Sequence, residues 1–140
     1  MPSPVIPTFR YHDAPKAIAW LGEAFGFEPH LVVEGEGNTI EHAQLTLGEG
    51  MIMLGSVREN EYGDLVTTVK DVGRPTAAAY VIVDDVDAHA QRAREAGAEI
   101  VLEPEDQDYG GRLYTCRDLE GNVWSFGSYD PWAEQGGAAE

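Results

Sequence analysis

Residues 13–28 read DAPKAIAWLGEAFGFE, and 71 positions further on residues 84–99 read DDVDAHAQRAREAGAE. Under this shift Asp13, Ala17, Ala19, Gly26 and Glu28 fall on Asp84, Ala88, Ala90, Gly97 and Glu99. Beyond them, Glu49 and Gly50 fall on Glu120 and Gly121. The coinciding residues also share their jobs. Asp13 can cap a helix whose first turn holds Pro15. Ala14, Ala17, Ile18, Leu21 and Phe25 then recur at helical spacing, and Gly26 is the stop. In the second copy Asp84 or Asp85 is the cap, Val86, Ala90 and Ala93 form the apolar stripe, and Gly97 is the stop.

Outward from the two helices, the same order of elements appears twice. A strand precedes each one, in VIPTFRY (5–11) and in AAAYVIV (77–83). Three short strand-like runs follow each. The first set is Pro29–Val33, Ile40–Leu47 and Met51–Leu54; the second is Glu99–Leu102, Arg112–Arg117 and Val123–Gly127. Turns rich in glycine and acid, LGEG and LEGN, separate the last two strands of each set. The chain is therefore α+β, two tandem βαβββ modules over about 4–56 and about 77–129. Residues 57–76 form a long linker of mixed charge, a working loop or a tether. The tail DPWAEQGGAAE is expected to fray after Trp132.

At 140 residues, 43% hydrophobic and 24% charged, the chain has the size and composition of one soluble domain. No apolar run approaches membrane-spanning length, and the first residues lack a signal pattern, so a cytoplasmic location without membrane contact is expected. The single Cys116 allows no internal disulfide. A formal charge of −16 excludes a nucleic-acid partner, which needs a basic footprint. The same charge keeps an acidic surface soluble and would draw cationic ligands.

Tandem βαβββ units, with DAPKAIAWLGEAFGFE after the first strand and DLEGNVWSF (118–126) near the end, give the chain its likeness. It resembles the vicinal oxygen chelate superfamily: glyoxalase I, extradiol dioxygenases, and bleomycin- and fosfomycin-resistance proteins. The resemblance implies curved mixed sheets that enclose a cleft, and homodimers. It also implies, in the metal-dependent members, four His or Glu ligands on the first and last strand of each half. Those positions here are Ile6, Met53, Ala78 and Ser125. A slip of one residue brings only Val5, Pro7, Ile52, Leu54, Ala77, Ala79, Trp124 or Phe126.

A divalent ion needs converging N, O or S donors, and this set lacks imidazole and carboxylate. The expectation is a site with no metal and no cofactor. His12, His30 and His89 are expected at the surface, whereas His42 shares a strand face with Gln44 and Thr46. A lone histidine there is a hydrogen-bonded structural residue or a cleft residue able to move a proton. Alternation adds Thr8 and Arg10, Met53, Tyr80 and Ser125 to the ligand-binding candidates, and Ala43, Leu45 and Leu47 to the helix side. For Arg10 a solvated charge is the competing reading, and for the methionines plain packing. In EDQDYGGRLY (105–114), Tyr109, Arg112 and Tyr114 are candidates at the cleft mouth. Trp20, Trp124, Phe126 and Cys116 read as core.

Three functions compete. One is a metal-free protein that holds a small organic molecule, as in drug sequestration and antibiotic resistance. The second is an enzyme, a lyase, isomerase or dioxygenase, with relocated metal ligands or with His42, Tyr114 or Arg10 acting alone. The third is a scaffold whose cleft is plugged by its own side chains.

Overall fold

The computed structural model describes residues 2–133. Its first module runs β1 (Thr8–Tyr11), α1 (Ala14–Phe25), β2 (Glu28–Glu34), β3 (Ile40–Leu47) and β4 (Gly50–Ser56). A short α2 (Val69–Val72) interrupts the linker. The second module runs β5 (Ala79–Ile82), α3 (Val86–Glu95), β6 (Glu99–Asp106), β7 (Arg112–Arg117) and β8 (Val123–Gly127). Each module forms one four-stranded sheet, in the orders β1-β4-β3-β2 and β5-β8-β7-β6. In both, the first strand runs parallel to the last and the other pairs are antiparallel.

Local chemistry explains the boundaries. The Asp13 carboxylate accepts from the Lys16 amide, and Gly26 ends α1 in the left-handed conformation at φ 93°. Asp85, of the two candidate caps, accepts from the Ala88 amide and starts α3. Strand β1 is shorter than VIPTFRY. Prolines 4 and 7 carry no N–H, so the ladder starts at Thr8, although the Pro7 carbonyl still accepts from the Met53 amide at 2.9 Å. Strand β6 is longer than read, because irregularities between Ile100 and Leu102 and between Leu102 and Glu105 carry it on to Asp106. The fraying expected of the tail falls, beyond residue 133, outside the described residues.

The two modules stand back to back. Helix α1 buries Ala17, Leu21 and Phe25 over the side of sheet one that carries Ala43, Leu45 and Leu54. Helix α3 buries Val86, Ala90 and Ala93 over the side of sheet two that carries Tyr114, Cys116 and Phe126. These two layers are one core. The Phe25 ring lies 4.6 Å from that of Phe126, and Phe9 stacks on Trp124 at 5.2 Å. Trp20 donates its indole N–H to the Ala96 carbonyl, and Arg92 donates to the carbonyls of Glu23 and Gly22. The helix-free faces of the sheets consequently point away from each other.

A second fastening lies at the turn after β7. The buried Asp118 carboxylate accepts from the Tyr11 hydroxyl at 2.6 Å, from the Trp124 indole at 3.1 Å, and from the amides of Glu120 and Asn122. Glu120 takes the amides of His12 and Asp13 at 2.7 and 2.8 Å, at the start of α1. Burial, then the Asp118 charge, pushes the Tyr11 hydroxyl well above its ordinary pKa. Among the described residues no helix is long and apolar enough to cross a membrane.

Candidate functional site

Strand alternation sorts the residues of sheet one as the sequence does. Ala43, Leu45 and Leu54 go to the helix side, while His42, Gln44 and Met53 go to the bare face. The register sets Thr8, Met53, Gln44 and Leu31 in a row across β1, β4, β3 and β2. In sheet two the matching row is Tyr80, Ser125, Thr115 and Leu102, across β5, β8, β7 and β6. The two rows are 71 or 72 residues apart throughout, so the internal repeat extends to the bare faces. Ile6 and Ala78 lie before the strands; the partners in register with Met53 and Ser125 are Thr8 and Tyr80.

The rows are uncharged and mix hydrogen-bonding groups with Met53, Leu31 and Leu102. Gln44 accepts from His30 Nδ1 at 3.0 Å and donates to His42 Nε2 at 3.1 Å, which gives His42 an accepting nitrogen on this face. The irregularity between Pro29 and Leu31 lets His30 reach Gln44 from within β2. Ser125 shares a 2.8 Å hydrogen bond with Thr115, a second hydroxyl and no base, so the serine is not activated as a nucleophile. Tyr80 donates to the Tyr129 carbonyl at 2.6 Å, and burial raises its hydroxyl pKa. Glycines make room for the edge-strand side chains: a Cβ on Gly55 would meet the Arg10 guanidinium, and one on Gly127 would sit 2.8 Å from the Tyr80 hydroxyl.

Thr8, Arg10, His42, Gln44 and Met53 are thus brought to one face, Tyr80 and Ser125 to the other. Tyr109 packs edge-on against Tyr129 at 5.3 Å, at the border of an open hollow of about 360 Å³. Arg112 and Tyr114, expected at the cleft mouth, are instead on the helix side. They share strand parity with buried Cys116. The Arg112 guanidinium grips Asp87 of α3 at 3.1 Å and Asp106 at 3.2 Å, and Tyr114 is fully buried. Burial pushes the Cys116 thiol up to about 12, which leaves it protonated and inert.

His89, expected at the surface, is half-buried between the modules. Its ring lies 4.2 Å from Phe126 and stacks on Phe25 at 6.1 Å. Nε2 stands 3.0 Å from the Phe25 carbonyl, which can only accept, so Nδ1 accepts from the Tyr114 hydroxyl at 2.6 Å in the neutral ring. Burial lowers its pKa below the ordinary 6.5. The unfolded chain then binds a proton that the folded chain refuses. Stability is expected to be level above about pH 6.5 and to fall below it by up to about 1.4 kcal/mol per pH unit, until the folded pKa is passed. Urea unfolding from pH 5 to 8 checks this, and His89→Gln should remove the slope.

The donor set does not fit a metal. Among the described residues no three His, Cys, Asp or Glu side chains converge to hold an ion. The rows, with His42 beside the first of them, offer hydroxyls, an amide, a thioether and an imidazole, which suit hydrogen bonding and packing against an organic molecule.

Comparison with known proteins bears on the family and the fold. The profile of the Glyoxalase/Bleomycin resistance protein/Dioxygenase superfamily matches residues 7–126. The crystal structure of TioX from Micromonospora sp. ML1 is 36% identical, with a TM-score of 0.70 over 89% of this chain and 97% of that one. An uncharacterized protein of Mycobacterium bovis is 33% identical over 115 residues, 82% of this chain and 76% of its own length. The fosfomycin resistance protein FosX of Listeria monocytogenes shares the fold at 14% identity, with a TM-score of 0.66 over 94% of this chain and 97% of its own.

Proposed function

The chain belongs to the glyoxalase/bleomycin resistance protein/dioxygenase superfamily, and from that premise we propose that it is a metal-free cytoplasmic binding protein for a small organic molecule. The molecule lies in a cleft between module one of one copy and module two of a second copy. Drug sequestration is a use that such a protein serves. The observation that carries this reading is the pair of matched rows, Thr8–Met53–Gln44 and Tyr80–Ser125–Thr115. They include Met53 and Ser125, two of the four positions at which the resemblance puts ligands in the metal-dependent members, and they bring hydrogen-bonding groups without a donor set for an ion.

The back-to-back core calls for the second copy. A chain that turns its two bare faces apart cannot lay one over the other. Those faces expose Leu31, Val33, Tyr80, Ile82 and Leu102, each by 40% or more, an apolar surface of the sort that marks an interface. A closed twofold pair buries both faces of both chains.

Calorimetry of the chelator-treated protein against basic glycopeptides and other small organic molecules tests the reading. Saturable binding is expected, with the same affinity before and after metal stripping. One equivalent of Ni, Zn, Fe or Mn per chain in the purified protein would overturn it in favour of metal catalysis.

A further inference from the structure

Arg10 is held in an unusual way for a chain so rich in acid. Its guanidinium lies over the Tyr62 ring at 4.7 Å, and the missing side chain of Gly55 gives it room. Among the described residues no carboxylate pairs with it. Arg94, Arg112 and Arg117, by contrast, are each tied to Glu or Asp among the described residues. A stacked guanidinium is fixed in place while the N–H donors on its rim stay available. Arg58, also without an acidic partner among the described residues, lines the same pocket of about 150 Å³. Val57 and Val66 add apolar wall and Thr67 a hydroxyl. The one acid at the border, Asp71, is committed to His12 at 3.0 Å and to the Thr68 hydroxyl at 2.9 Å.

We propose that Arg10 and Arg58 form an oxyanion pocket that takes the carboxylate or phosphoryl group of an organic molecule. Two guanidiniums offer the fork geometry that such oxygens accept, and the valines contact the carbon skeleton beside them. The long-range field of a −16 chain favours cations, but it is screened within about 10 Å at ordinary salt, and contact chemistry decides what is held. Arg10 shares its side of β1 with Thr8, so the pocket opens at the edge of the bare face. The inference rests on the proposed cleft only in assigning the anion to the cleft's ligand, since one chain builds the whole pocket.

The test titrates the full chain with benzoate and, separately, with inorganic phosphate, following the Arg10 Nε–H resonance by NMR and the heat by calorimetry. The expected result is saturable binding of at least one of them, one per chain, weakened tenfold or more by Arg10→Gln and by Arg58→Gln. Arg74→Gln, a linker arginine outside the pocket, should leave it unchanged. A benzoate response assigns the site to carboxylates and a phosphate response to phosphoryl groups. The proposal is overturned if neither anion saturates, or if both pocket variants bind as the wild type does. A dimer that binds uncharged organic molecules saturably while neither anion binds would overturn it and leave the cleft standing.

Discussion

Asp118→Ala is expected to cost about 3–5 kcal/mol, because it strands two buried donors at once, each worth about 1–3 kcal/mol when left unpaired. The Tyr11 hydroxyl and the Trp124 indole both give their protons to this carboxylate, from opposite modules. The turn amides of Glu120 and Asn122 lose their acceptor as well. Against a typical total of about 5–15 kcal/mol, a loss of that size leaves the chain close to unfolding. Urea denaturation followed by tryptophan fluorescence measures it. Asp118→Asn, which keeps one accepting oxygen, should lose clearly less. A cost for Asp118→Ala below about 1 kcal/mol would mean that the turn does not fasten the modules.

The second large effect concerns assembly. Leu31→Glu with Leu102→Glu places a charge on the bare face of each sheet, at positions 45% and 59% exposed in the single chain. Neither side chain belongs to the core, so the helical circular dichroism and the unfolding midpoint of the monomer should stay near wild type. Burying the new carboxylates in a pair would cost several kcal/mol, so association should weaken by a hundredfold or more. Sedimentation is expected to show a dimer for the wild type and a monomer for the variant, and calorimetry a loss of small-molecule binding. A variant that remains dimeric would place the contact elsewhere. A monomer that still binds with full affinity would free the site from the second copy.

Much of the architecture could be read from the chain because short-range chemistry sets it. Ile40–Leu47, Arg112–Arg117 and Val123–Gly127 have the bounds that alternation and flanking turns assign to them. The caps of α1 follow from Asp13 and Gly26. The errors concern facing. Under the 71-residue shift His89 falls on Ile18, a position on the apolar stripe, and that alignment carried the signal that the histidine is inward. Strand parity with Cys116 likewise carried the signal for Arg112 and Tyr114. The grip of Asp118 and Glu120 on Tyr11, His12 and Asp13 had no such signal, because it joins groups more than a hundred residues apart. For the same reason the Arg10–Tyr62 stack could not be foreseen, since it depends on the path of the linker.

The back-to-back core has a genetic signature. In a twofold pair each basin takes one wall from each polypeptide, so a lesion in one wall damages one basin per mutant chain. Mix a chain defective in its first half with a chain defective in its second half: both lesions gather in one basin, and the other is assembled from intact walls. Two inactive alleles expressed together would therefore recover up to half the capacity of a wild-type pair, whereas either alone recovers none.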